Sequence, residues 1–404
     1  MSKTKGILDG IRVLDFTIHT AGPTCTAQLA DMGAEVIKVE RPGYGDETRY
    51  HSPSVEGHGT QFMWNNRGKK SITVDLKDPE GAKILLELGK HVDVVVESMK
   101  PGSMKKMGLD YAAFQAVNPQ IVYCSISAFG QTGPKASEPG FDIVAQAASG
   151  IMDLTGDPNG PPVKSGIFLS DFVSGKDAFG AIMAALLHKE RTGEGQYIDI
   201  AMLQCMITMN PFVENAFLGS YITRTGNHSA SFAPYGVFRG PHNQYLTIGA
   251  FTPSHWKKFC EGALKRPELV NDPRFADYAG RLANCKEIIK IVEDWLATFE
   301  SVDEPKAILT SLSLVAGKVY TTREVISDEQ VLARHAVAEH PGTRKMTRGY
   351  WGRGSQFVFS KTPVVMKAAP ELGDDNYAIL AEADLTREQI HDIETRWGQE
   401  IDPA

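Results

Sequence analysis

Residues 11–40 read IRVLDFTIHTAGPTCTAQLADMGAEVIKVE, and the fold class follows from that run. Ile11 to Thr17 is rich in β-branched and aromatic residues and reads as a strand. Gly22-Pro23 and the stretch Ala27 to Met32 then read as a helix, with proline near the first turn and Gly33 where the helix ends. Ala34 to Glu40 is the next strand. A strand, a helix and a strand within these 30 residues sit close to the minimum length of a parallel crossover.

The same punctuation repeats downstream. Asp78-Pro79-Glu80 starts a helix that runs through Leu88, and Val92 to Glu97 follows as a strand. A helix near Tyr111–Val117 leads into a strand from Ile121 to Ile126. Near-continuous valine and isoleucine marks strands buried on both faces, hence a parallel sheet covered by helices. From Asp171 a long apolar helix passes through Ala178, Ile182, Ala185 and Leu186 to about Gly193, and the strand Tyr197–Ala201 follows it. After about residue 225 the texture changes. A hairpin of Tyr235–Phe238 and Tyr245–Ile248 precedes helices rich in Trp, Lys and Glu, to about residue 330. The expected architecture is α/β: a large domain over 1–224, a smaller α+β domain over 225–330, and a segment 331–404 ending in a charged helix near Thr386–Trp397.

With 404 residues the chain is long enough for more than one core. Its 42% hydrophobic and 23% charged content is that of a soluble globular protein, and a net charge of -7 argues against a nucleic-acid-coating surface. The N-terminus is polar and lacks a signal-peptide core, and no stretch approaches the roughly 20 apolar residues that span a bilayer. The expectation is a cytoplasmic protein without membrane or nucleic-acid partners. Five cysteines, odd in number and without a CxxC pair, fit reduced core thiols and argue against a zinc site or disulfide frame.

No complete GxGxxG follows an expected strand, which argues against a nicotinamide or flavin site. Walker A, HExxH, EF-hand and GxSxG patterns are absent too, so chemistry must come from scattered residues. Asp171 stands where a loop meets the long helix. There it reads as an N-cap, and the helix terminus favours its ionised form, which is also the nucleophilic one. Arg41, Arg49, Arg67, Lys69, Lys70, Lys100, Lys105 and Lys106 gather in one region, several just after expected strands. On an acidic chain they read either as solvated surface charge or as a site for a polyanion. Gly193 and Gly195 read as a structural connector that permits positive φ after the helix.

Together the motifs form a recognisable series. LDGIRVLDFT from Leu8, Ala21-Gly22-Pro23, GAEVIKVE from Gly33, Gly45 to Arg49, and KSITVDLK from Lys70 resemble the opening of class III CoA-transferases, the formyl-CoA and carnitine CoA-transferase type. So do PGSMKKMG from Pro101, FGQTGP from Phe129 and RTGEGQ from Arg191, with weaker matches at Asn271–Phe275 and Ser327–Arg334. The resemblance implies a Rossmann-like large domain completed by the C-terminal segment, a small inserted domain, and two ring-shaped subunits threaded through each other as an interlocked homodimer. It implies Asp171 as the catalytic residue. It implies CoA contacts at His19, Ala21, Arg41, Val74, Lys77, Ser98, Met99, Lys106 and Met107, with Arg41 and Lys106 bringing charge to phosphates. Ser98 and Met99 depart from the usual Asn and Phe. Coenzyme A is then a cosubstrate, with no permanently bound cofactor and no metal.

The implied reaction passes CoA from a donor thioester to an acceptor carboxylic acid through aspartyl anhydride and aspartyl-CoA thioester intermediates. Two other readings stand beside it. A 2-methylacyl-CoA racemase shares the fold but pairs the aspartate with a histidine, where this chain has Phe141. A CoA-binding protein without catalysis would bind and not turn over. The glycine-rich loop of formyl-CoA transferases is absent around Thr225–Gly249, and Thr20 replaces their Gln, which argues against formate/oxalate exchange, although the family includes oxalate transferases without that loop. Phe141, Phe232 and Tyr235 read either as core aromatics or as the wall of a larger acceptor site.

Overall fold

A computed structural model describes residues 6–398. The chain divides into two compact units: one takes Met1–Ile151, Ser165–Pro211 and Glu329–Ala404 as far as they are described, the other Met152–Lys164 and Phe212–Asp328. The smaller unit thus includes residues 212–224 and a detour at 152–164, beyond the 225–330 span expected from the change of texture.

The larger unit is built on a parallel sheet of six strands. In chain order these are β1 (Arg12–Phe16), β2 (Glu35–Glu40), β3 (Lys70–Thr73), β4 (Val94–Glu97), β5 (Val122–Ser127) and β6 (Tyr197–Ala201). Their spatial order is β3-β2-β1-β4-β5-β6, that of a doubly wound dinucleotide-type sheet. β3 was not foreseen: four residues with Lys70 and Ser71 among them carry little apolar signal. Its edge is closed from far along the chain. The Ser71 amide donates to Asp375 Oδ2 at 2.8 Å and the Thr73 amide to Asn376 Oδ1 at 2.8 Å, so side chains replace a seventh strand.

Residues alternate between two cores across the sheet. Leu14, Phe16, Ile37, Val39, Ile72 and Val95 face a core with helix α2 (Pro79–Gly89) and the C-terminal helix Arg387–Arg396. Val13, Val36, Val94, Val96, Val122 and Cys124 face the other, with α1 (Ala21–Asp31) and the long helix Leu169–Thr192. Asp78 caps α2 through Glu80, with Pro79 inside the first turn, as the sequence indicated. Gly193 ends the long helix at φ 77°, but Gly195 has a different reason: a Cβ there would lie 2.2 Å from the Ile121 carbonyl oxygen.

In the smaller unit Tyr235–Arg239 and Tyr245–Gly249 pair as the expected hairpin, and Val315–Lys318 adds a third antiparallel strand. Phe238, Leu246, Trp256, Phe275 and Leu296 belong to its own core. Of the cysteines, Cys25, Cys124, Cys205 and Cys260 are buried and all five are free. Among the described residues no helix is long and apolar enough to cross a membrane.

Candidate active site

The sheet order reverses its direction of growth between β1 and β4, and in such sheets the crevice beyond the strands' carboxyl ends at that point is where ligands bind. The segments leaving β1, β4 and β5 contribute Ile18 and His19, Ser98 and Met99, and Ser127 and Ala128 to a cavity of about 280 Å³ that also contains Asp171. Two helices meet tightly to bring these together. A Cβ on Gly175 would lie 2.5 Å from the Ala21 carbonyl oxygen, so only glycine lets the long helix approach α1 this closely. His19 holds a left-handed backbone at φ 63°, a costly conformation for a non-glycine residue, in the turn between β1 and α1. Its ring meets Phe141 edge-on at 6.0 Å.

Asp171 is not the N-cap. The helix begins at Leu169, Phe168 holds the cap position without a side-chain bond, and Asp171 is the third helical residue. Asp142, from the helix Asp142–Ala148, does part of the capping instead. Its Oδ1 accepts the Ser170 amide at 2.8 Å and the Ser170 hydroxyl at 3.0 Å, satisfying one of the free donors of the first turn. Its Oδ2 accepts from Gln146 at 2.6 Å. Asp171 is thereby relieved of capping, and its carboxyl is pushed up to about 7 by burial first and by the Asp142 charge second. Burial outweighs the helix terminus, which by itself favours ionisation. The result is a partly buried carboxyl, facing a cavity and poised near neutrality.

A second cavity of about 490 Å³ runs on past the ends of β2 and β3 and shares Ile18 and Met99 with the first as walls. Of the residues implied as CoA contacts, His19, Ala21 and Ser98 line the Asp171 cavity, Arg41, Val74, Lys77 and Met107 line the second, and Met99 lines both. Lys106 lines neither; it ends the short helix Ser103–Lys106, between Ser103 and Met107, which do. The junction is fixed from two sides. The Ile18 amide donates to Ser98 Oγ at 3.1 Å, and the Met99 amide to Glu97 Oε2 at 2.7 Å. Burial pushes Glu97 up to about 7. Sequence reading missed Glu97, whose only signal was a lone acid ending a valine run. It also missed Trp397, which lines the second cavity.

The basic cluster largely dissolves. Arg49 pairs with Glu40 at 2.6 Å, Arg67 with Asp31 at 2.5 Å, Lys69 with Asp15 at 2.8 Å, and Lys70 with Glu35. Three of these four cations are buried and hold the sheet and its loops together. Lys38, buried as well, bridges the Thr17 carbonyl at 2.8 Å and Asp46 at 3.0 Å, tying the segment before Ile18 to the loop after Arg41. Arg41, Lys77, Lys100, Lys105 and Lys106 are exposed. The aromatic trio separates: Phe141 lines the Asp171 cavity, whereas in the smaller unit Phe232 packs on Phe251 at 4.7 Å and Tyr235 lines a cavity of about 670 Å³.

The sequence profile of CoA-transferase family III matches residues 8–376. The chain is 38% identical over 390 residues to succinyl-CoA:glutarate CoA-transferase of Mus musculus, covering 93% of this chain and 86% of that protein. It is 39% identical over 346 residues to succinyl-CoA:mesaconate CoA-transferase of Haloarcula hispanica, with 83% and 85% covered. Among solved structures, a CAIB/BAIF family protein of Brucella suis superimposes with a TM-score of 0.81 at 35% identity, over 94% of this chain and 100% of that one.

Proposed function

The chain belongs to CoA-transferase family III and moves CoA from acyl-CoA thioesters to carboxylates; from that premise we propose that Asp171 is its nucleophile and that the two joined cavities receive the CoA thioester. One observation carries the reading: Asp171 is a partly buried carboxyl with no cap to serve, in a cavity that continues into a second one walled by Arg41 and Lys77. The larger unit is then the CoA-binding domain.

The steps balance without net proton transfer. The Asp171 carboxylate attacks the donor carbonyl, the C–S bond breaks, and CoA leaves as thiolate from an acyl-aspartyl anhydride. The thiolate attacks the aspartyl carbonyl, the anhydride C–O bond breaks, and the donor acid departs, leaving an aspartyl-CoA thioester. The acceptor carboxylate then attacks that thioester, its C–S bond breaks, and thiolate leaves from a second anhydride. The thiolate attacks the acceptor carbonyl, the anhydride C–O bond breaks, and the new acyl-CoA and the free Asp171 carboxylate result. Each hard exchange is split into easier ones. A carboxyl pushed up to about 7 is a stronger base, and so a better nucleophile, than an ordinary aspartate.

For substrates we propose succinyl-CoA as donor and a dicarboxylic acid as acceptor, on the names of the relatives. Exposed Lys100, at the cavity of Asp171, supplies a cation for a distal carboxylate. We further propose an interlocked homodimer. A concentration-dependent monomer in sedimentation would count against it.

The direct test is trapping. With succinyl-CoA present, hydroxylamine should inactivate the enzyme and leave a hydroxamate on the peptide containing Ser170-Asp171-Phe172. Without donor it should do neither. An adduct on another residue, or none, would refute the assignment. Turnover in deuterated water should leave the substrate α-carbon unlabelled, because Phe141 offers no base. His19, the imidazole in this cavity, makes that experiment a necessary check.

A further inference from the structure

We infer that Trp397, carried into the second cavity by the C-terminal helix, is the stacking platform for the adenine ring of CoA. The inference rests on the placement of CoA proposed above and extends it to a part of the chain that neither the sequence motifs nor the family match, which ends at residue 376, includes.

The argument starts from sheet geometry. The thioester must reach Asp171, in the cavity at the ends of β1, β4 and β5. The rest of CoA can then run through the second cavity, past Ile18 and Met99, toward the ends of β2 and β3. From β4 to β3 is three strand spacings, or about 14 Å. That lays the pantetheine arm across the junction and leaves the nucleotide beside Val74 to Lys77. The nucleotide needs cations for its phosphates and a flat apolar surface for its base. Arg41 and Lys77 supply the first, and Trp397 is the one aromatic side chain among the residues lining this cavity. Stacking suits adenine because every base presents a π face.

The indole is oriented before any ligand arrives. Its Nε1–H donates to Asp78 Oδ2 at 2.9 Å, and the other oxygen of that carboxylate accepts the Glu80 amide at 2.9 Å at the start of α2. Beside it, Arg396 binds the same Asp78 at 3.2 Å and also Glu80. The helix behind is fixed by a capping box of Thr386 and Gln389 and by Asn376, which donates to Glu394 at 2.6 Å. A ring held this way loses little freedom on stacking, which is how preorganisation raises affinity.

The test compares donors with and without the nucleotide. In succinyl transfer to glutarate, Trp397→Ala should raise KM for succinyl-CoA about tenfold, the size expected for one lost base stack, and leave kcat nearly unchanged. KM for succinyl-pantetheine, which has no adenine to stack, should not move. Trp397→Phe should restore most of the loss. Trp397→Leu keeps apolar bulk against α2 but should behave like alanine, which guards against a fold defect. Equal rises for both donors would reduce Trp397 to a structural wall and overturn the inference, as would no rise for either. If the wild-type enzyme exchanges nothing, the proposed function fails separately. Calorimetry still decides the inference then: CoA should bind wild type about tenfold tighter than Trp397→Leu, with pantetheine binding unchanged.

Discussion

Asp142 and Asp171 form a paired arrangement in which one carboxylate is bound so that the other stays free. Asp142 takes the Ser170 amide and hydroxyl, one residue before Asp171, and its charge adds to the burial that pushes Asp171 up to about 7. The same residue therefore fixes the start of the helix that carries Asp171 and adds its charge to the burial that raises this carboxyl.

The pH profile should report this. The proposed nucleophile reacts as its anion, so kcat/KM should climb with pH and level off above about 7. Asp142→Asn removes the like charge and keeps an acceptor for Ser170. Its inflection should move down, yet stay above the ordinary carboxylate range, because burial is the larger cause. An unmoved inflection would show that Asp142 does not act on Asp171 electrostatically.

Stability should show the opposite sign. A carboxyl raised in the folded state holds a proton that the unfolded chain has lost, so the fold weakens as pH rises from about 4 to about 7. Asp171→Asn abolishes that loss. Turnover should fall by orders of magnitude, while the melting temperature at pH 8 should exceed that of the wild type by about one degree, on the order of 1 kcal/mol for a chain of 404 residues. Near pH 4 the two should melt together. A variant less stable than wild type at pH 8 would contradict the buried-charge account.

Arg41 and Arg49 separate binding from architecture. Arg41 is exposed at the second cavity, so Arg41→Ala should raise KM for the acyl-CoA donor with little change in kcat or melting temperature. Arg49 is buried against Glu40, so Arg49→Ala should destabilise the fold by about 3–5 kcal/mol, since it strands a buried carboxylate. Thermal melts and donor titrations of the two variants should give opposite patterns.

Two glycines of one helix make a further contrast. Gly180 has open space around a Cβ, so Gly180→Ala should stabilise by up to about 1 kcal/mol through helix propensity. Gly175→Ala places its Cβ 2.5 Å from the Ala21 carbonyl oxygen and must push the helices apart. It should cost about 1–3 kcal/mol. Displacing Asp171 from the β1–α1 turn should also lower kcat by about tenfold or more. A Gly175→Ala enzyme with wild-type kcat would mean that the close crossing does not position the site.

What was legible in the sequence is what depends on neighbours in the chain. Strand–helix alternation from Ile11 to Glu40 announced a parallel sheet, Asp78-Pro79 a helix start, and Thr386 to Trp397 the last helix, because periodicity and capping are local. The order of motifs also pointed to the family and to Asp171. Tertiary structure alone decided which charges are free. Arg67 and Asp31 lie 36 residues apart and Ser71 and Asp375 lie 304 apart, so no local pattern could tell a structural cation from an exposed one or reveal how β3 is closed. It alone moved Asp171 from cap to third helical residue, since the competing hydrogen-bond acceptor, Asp142, comes from another helix. And it alone brought Trp397 to the cavity of Arg41, because burial and ion pairing are set by neighbours in space.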